Sequence, residues 1–214
     1  MQVCGKGAPC TRTTAKEAAE AFSVGPVYLA HVDDWREIAG QWWTMMPKVL
    51  SQKNELLAEM WSLTMAAANV TTPWSLVSSY MVSDPSTQSP TEAWAWIDDL
   101  VAADGPAAVC AGADAVTLPK ATRDRRVALP TILHYCQAYK HAGHSFAKRR
   151  VKHNFFNCRE QPLAFDPTAI VGNLSDMSMS PTDTRAAFMI CHLIPMMNSF
   201  LSAYQRDVCP SRGR

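Results

Sequence analysis

The sequence predicts a mixed α/β protein that is rich in helix. Four segments place apolar residues at helical spacing, and two short apolar runs suit buried strands, one of them leading straight into a pair of helices. Over 214 residues, 48% apolar and 18% charged, the composition is that of a folded domain with a sizeable core.

The elements follow in order. Residues 1–21 are small and polar, are punctuated by Gly and Pro, and read as a flexible tail; residues 22–209 read as one domain and 210–214 as a second tail. GPVYLAHV (25–32) opens with Gly-Pro and reads as a buried strand. Asp33 or Asp34 then caps a helix whose Trp35, Ile38, Ala39, Trp42, Trp43 and Met46 recur at helical spacing, and Pro47 should end or kink it. NELLAEMWSLTMAAANV (54–70) forms the second helix, stopped before Pro73. TPWSLVSSYMVSD (72–84) holds one strand or an extended loop. SPTEAWAWIDDLVAA (89–103) forms an amphipathic helix with Trp94, Ile97, Leu100 and Val101 on one face. Residues 104–126 are loop-like, and VALPTILHYC (127–136) reads as a strand. Residues 158–183 lack periodicity, contain three prolines and read as an irregular connection. A closing helix over 180–209, capped by a Thr or Asp, carries a stripe through Phe188, Cys191, Ile194, Phe200 and Leu201, and Pro195 should bend it.

Charge and cysteine content exclude several function classes. Twenty Lys plus Arg against nineteen Asp plus Glu give a formal charge of +1, so no whole-protein field steers the chain toward nucleic acid. The seven Cys include no CxxC pair, which leaves zinc-finger and thioredoxin readings without support. Sequons at Asn69-Val70-Thr71 and Asn173-Leu174-Ser175 fit a secretory lumen in which some of these Cys pair. No apolar run approaches the roughly 20 residues of a spanning helix, and the N-terminus shows no signal-type apolar core.

The densest chemistry lies in ILHYCQAYKHAGHSFAKRRVKH (132–153). His134 closes an apolar strand, where α/β proteins place ligand-binding groups, and Gly143, Lys148, Arg149, Arg150 and Lys152 follow it. A neutral imidazole ligates a divalent cation, a Gly lets amides approach a phosphate, and a Lys supplies positive charge. The alternative is a satisfied buried histidine followed by a solvated basic loop, and spacing alone favours that plainer reading. His141, His144 and His153 have no standard metal spacing and read as loop residues. Glu59 is the one acid within an apolar helical segment; it either faces solvent, the reading its pattern favours, or has a raised pKa and a task. Cys136 reads as structural or disulfide-bonded, and the Trp and Met positions read as core. The run KRRVKH lacks an aromatic-lined surface, so no nucleic-acid partner is expected.

Four blocks, GPVYLAHVDDWREIAGQWWTMMPKVL, LLAEMWSLTMAAANVTTPWSLVSSYMVSD, LPTILHYCQAYKHAGHSFAKRRVKHNFFNCREQPL and RAAFMICHLIPMMNSFLSAYQRDVC, resemble in order those of the hydroxyproline O-arabinosyltransferase-like family, to which the peptidyl-serine α-galactosyltransferases are related. The resemblance covers about residues 22–209 and implies the C-terminal, acceptor-side half of a GT-A glycosyltransferase. It implies transfer of a sugar of the arabinose or galactose class from a UDP-sugar to a hydroxyproline or serine hydroxyl of a glycoprotein, with Mn²⁺ or another divalent cation, in the Golgi or secretory lumen. It further implies His134 as a metal ligand, Gly143 and Lys148 at the diphosphate, and Glu59 orienting or deprotonating the acceptor hydroxyl. In the family the nucleotide-binding half and its DxD-like motif precede the first of these blocks, so catalysis is expected once the chain is joined to such a half. The competing expectation is a non-enzymatic binding or structural module.

Overall fold

The computed structural model describes residues 3–23, 25, 28–55, 57–77, 80–88, 92–111, 132–174 and 179–209. Residues 104–126, expected as a loop, and the start of the strand over 127–136 lie largely outside them. The helix-rich α/β expectation holds. The chain forms two compact units, Met1–Val77 and Ser78–Arg214.

The first unit is helical: α1 (Ala15–Ala21), α2 (Val32–Gln52) and α3 (Ala58–Asn69). The expected N-terminal tail is built into it. A Cys4–Cys10 disulfide closes its start, Val3 is buried, and α1 begins with a reciprocal box in which Thr14 Oγ1 accepts from Glu17 N–H and the Glu17 carboxylate accepts from Thr14 N–H. No strand forms over Tyr28–His31, because α2 already begins at Val32. Its cap is His31, whose Nδ1 accepts from Asp33 N–H at 3.3 Å, while Asp33 and Asp34 occupy the first turn, where the helix end favours negative charge. The helix continues through Pro47, which lies with Trp43 on its exposed face, where the hydrogen bond that a proline cannot make to the Trp43 carbonyl is least costly to lose. Ile38, Met45 and Val49 of α2 pack on Ala58, Leu63 and Ala66 of α3.

The second unit is organised on its last helix. Two-residue strands β1 (Met81–Val82) and β2 (Ile132–Leu133) pair in parallel, Met81 opposite Ile132. Helix α4 (Trp94–Asp104) buries Trp94, Trp96, Ile97 and Leu100. Strands β3 (Ala138–His141) and β4 (His144–Ala147) form an antiparallel hairpin where the sequence suggested a loop. Its turn residues Ala142 and Gly143 have φ of 48° and 77°, the left-handed pair that matches hairpin twist. The reading of 158–183 as irregular missed α5 (Pro167–Leu174), where Pro167 takes the first helical position and Asp166 Oδ1 accepts from Thr168 N–H at 3.0 Å. Helix α6 (Pro181–Val208) is capped by Ser180 in a box with Asp183, not by a Thr or Asp, and runs on through Pro195. By length and composition alone α6 would pass as a membrane span, which the sequence reading did not anticipate; half of its most apolar window is buried here as the core helix.

Disulfides Cys110–Cys191 and Cys158–Cys209 fasten both halves of α6 to the rest of the unit. Near its start, buried Arg185 grips both carboxylate oxygens of Asp98 on α4, with Nε 3.0 Å from Oδ1. Its Nη1 donates to the carbonyls of Pro85 (3.2 Å) and Thr87 (3.0 Å), and the guanidinium stacks over Trp94 at 5.5 Å. Arg185→Ala should therefore destabilise this unit by about 2–3 kcal/mol, less than a fully buried pair would lose because Asp98 keeps contact with water. The check is a lower urea midpoint at unchanged slope.

Candidate functional site

The candidate site gathers where β1 and β2 end, and side chains hold both ends in place. His134 N–H donates to Val82 O at 3.0 Å, setting the histidine one residue beyond β2. After β1, the amides of Ser83 and Asp84 both donate to the carboxylate of Glu92, with Asp84 N at 3.0 Å from Oε2. From β3, the buried Tyr139 hydroxyl lies 2.9 Å from Ser83 O and 3.1 Å from His134 O, and shares its one proton between them. Burial, and after it the neighbouring Cys136, raises the phenol pKa well above its ordinary 10.0, so it remains a donor. Ser83 Oγ and Cys136 Sγ are 2.9 Å apart.

His134 is half-buried. Its pKa lies below the ordinary 6.5, first through burial and then through repulsion from the Lys148 ammonium, with the Glu92 carboxylate opposing both. The imidazole is therefore neutral at pH 7. Pairing of Ala138 with Ala147 brings Lys148 to the same end of the hairpin as the His134–Gln137 approach. A cleft of about 790 Å³ opens there, lined among others by Tyr135, Cys136, Lys148, Arg149, Lys152 and Met197.

The structure thus brings two of the sequence-predicted residues together, His134 and Lys148. Gly143 lies in the turn at the opposite end of the hairpin, about 13 Å away for four residues of strand, where its positive φ accounts for the glycine. Glu59 belongs to the other unit, exposed in the first turn of α3, as its pattern favoured; burial and then this carboxylate raise the Tyr28 phenol pKa. Of the histidines read as loop residues, His153 lines the cleft, but His141 and His144 belong to the hairpin. His141 is buried, while His144 donates from Nδ1 to Ala142 O and accepts Asp166 N–H on Nε2. Cys136, expected to be structural or disulfide-bonded, is the one cysteine that the three disulfides leave over, and it is exposed.

Sequence reasoning missed Glu92 and Tyr139, and it named Arg149 only as part of the basic run. Alternation across AYKH and HSFA was the available signal for Tyr139, and a Glu two residues ahead of a helix the signal for Glu92. Among the described residues no group of three or more His, Cys, Asp or Glu could hold a metal ion. The Glu92 carboxylate is engaged by the amides of Ser83 and Asp84.

No protein-family model, curated protein or solved structure matches this chain.

Two predictions follow from the electrostatics. Removing the nearby ammonium in Lys148→Ala should raise the His134 pKa toward its ordinary value, read from its imidazole proton shifts during an NMR titration. His134, His141 and His192 all have depressed pKa values, chiefly through burial, so in each case the unfolded chain binds its proton first as pH falls. Stability of the second unit should be full above about pH 6.5 and decline below it. Urea midpoints at pH 7.5 and pH 5 test this, and an unchanged midpoint would count against it.

Proposed function

We propose that this chain is the acceptor-side part of a glycosyltransferase that moves a sugar of the arabinose or galactose class from a UDP-sugar to a hydroxyproline or serine hydroxyl of a glycoprotein. The observation that carries the reading is the pairing of neutral His134 with the Lys148 ammonium at the end of a parallel strand pair, beside a cleft of about 790 Å³. Strand ends of this kind are where α/β proteins bind nucleotides. Three disulfides fit an oxidising compartment and support a secretory or Golgi setting.

In the reaction, the acceptor oxygen bonds to the anomeric carbon, the bond from that carbon to the diphosphate oxygen breaks, and the hydroxyl proton leaves to a base. Lys148 acts on the departing group, since an ammonium at the diphosphate stabilises charge that grows as the bond breaks. A neutral His134 offers a ring nitrogen without adding to the charge. The resemblance assigns the acceptor base to Glu59, an exposed residue of the first unit. Mn²⁺ belongs to the resemblance, in which His134 would be one of its ligands. The second reading is a non-enzymatic binding module.

Calorimetric titration with UDP, with and without Mn²⁺, separates the two. The transferase reading expects UDP binding that weakens about tenfold or more in Lys148→Ala, the loss of one charge-assisted hydrogen bond. Wild-type protein that ignores UDP under both conditions would sink the reading.

A further inference from the structure

The cleft beside β3 and β4 carries an unbalanced charge that the pairing of His134 with Lys148 does not account for. Three cationic side chains of one segment line it: Lys148, Arg149 and Lys152. Lys152 is neutralised, because its ammonium bonds both oxygens of Glu160 at 2.7 and 3.0 Å. Arg150, between them in sequence, does not line the cleft and donates to Ser145 Oγ at 3.4 Å. Lys148 and Arg149 have no carboxylate partner among the described residues, and no acid is among the residues lining the cleft. Two adjacent cations of one short 3₁₀ turn, Lys148–Arg150, therefore face one concave space with no carboxylate among the described residues to balance them. His134 adds no charge, since its pKa is held low.

Two uncompensated cations on one wall call for two linked oxyanions. A volume of about 790 Å³ fits a compact small molecule better than a length of acidic chain. We propose that the cleft is selective for a diphosphate over a monophosphate, and that Arg149 is the second cationic contact, a planar fork for one phosphate while the Lys148 ammonium serves the other. A diphosphate diester such as a nucleotide sugar carries about two negative charges, one on each phosphate, and so matches the two cations. This rests on the transferase reading for the identity of the nucleotide, and assigns to Arg149 a role in donor selectivity that the resemblance does not carry.

The test uses the full chain and four probes: UDP, UMP, inorganic pyrophosphate and inorganic phosphate. Wild type should bind UDP and pyrophosphate at least tenfold more tightly than UMP and phosphate. Arg149→Ala should weaken the diphosphates tenfold or more and erase most of that preference, Arg149→Lys should restore part of it, and Arg150→Ala should change nothing. Cys136, exposed in the same cleft, supplies a second readout on unmutated protein: pyrophosphate should slow its alkylation by iodoacetamide, and phosphate at equal concentration should not. UDP bound equally well by wild type and Arg149→Ala, or UDP and UMP bound alike, overturns the assignment while leaving the transferase reading intact. Failure of UDP and pyrophosphate both to bind and to protect Cys136 overturns the two together.

Discussion

The second unit depends on a buried arginine. After β1 the chain turns through Asp84–Thr87 and presents the Pro85 and Thr87 carbonyls toward the interior, outside any sheet. The Arg185 guanidinium, fixed on the second turn of α6, donates to both and holds Asp98 of α4 with its remaining face. A lysine has one compact charged centre and could not span two carbonyls and a carboxylate in this way. Burying that charge is costly, and it is tolerated because almost every donor is used and the planar group lies on Trp94. One side chain thereby sets the distance between α4, α6 and the loop that carries Ser83 and Asp84.

Helices were legible in the sequence wherever their signals were local and repeated. The stripe through Trp94, Ile97 and Leu100, and that through Phe188, Cys191 and Ile194, are buried as the spacing implied. Ends and punctuation were read less well, because proline has opposite meanings by position. Pro167 and Pro181 start helices, whereas Pro47 sits on an exposed helical face that tolerates a missing hydrogen bond. The hairpin was obscured because its inward-facing positions include His141, a residue that does not look apolar, and its turn is Ala-Gly in place of the stronger Asn-Gly signal. At the candidate site, His134 and Lys148 were readable as residue types in a plausible order. Glu92 and Tyr139 were not, since they act through backbone atoms distant in sequence, Tyr139 reaching Ser83 across 56 positions.

Electrostatics and folding pull in opposite directions at this site. Lys148 and Arg149 repel each other, and burial together with the Lys148 ammonium lowers the His134 pKa, none of which adds to stability. The same unit spends its best-satisfied charge pair elsewhere, at Arg185 and Asp98, and closes two covalent loops of 81 and 51 residues onto α6. By the loop-entropy argument, cross-links of that length are worth roughly 4 kcal/mol each. A surface with unpaired cations is sustainable on a core fastened in this manner.

The strands that carry the site are too short to position it. A parallel pair of two residues each makes few ladder bonds, and a pair so small is not stable by its own hydrogen bonds. Precision at the strand ends must come from side chains, and three elements supply it: Glu92, leading into α4, ties the amides after β1; Tyr139 of β3 ties the carbonyls at the two strand ends; Arg185 of α6 fixes the loop beyond. Each of these ties engages backbone atoms, and among the described residues the His134 ring and the Lys148 ammonium take no part in them. The arrangement separates the groups that hold the geometry from those available to a ligand, so the second set can remain unsatisfied without loosening the first.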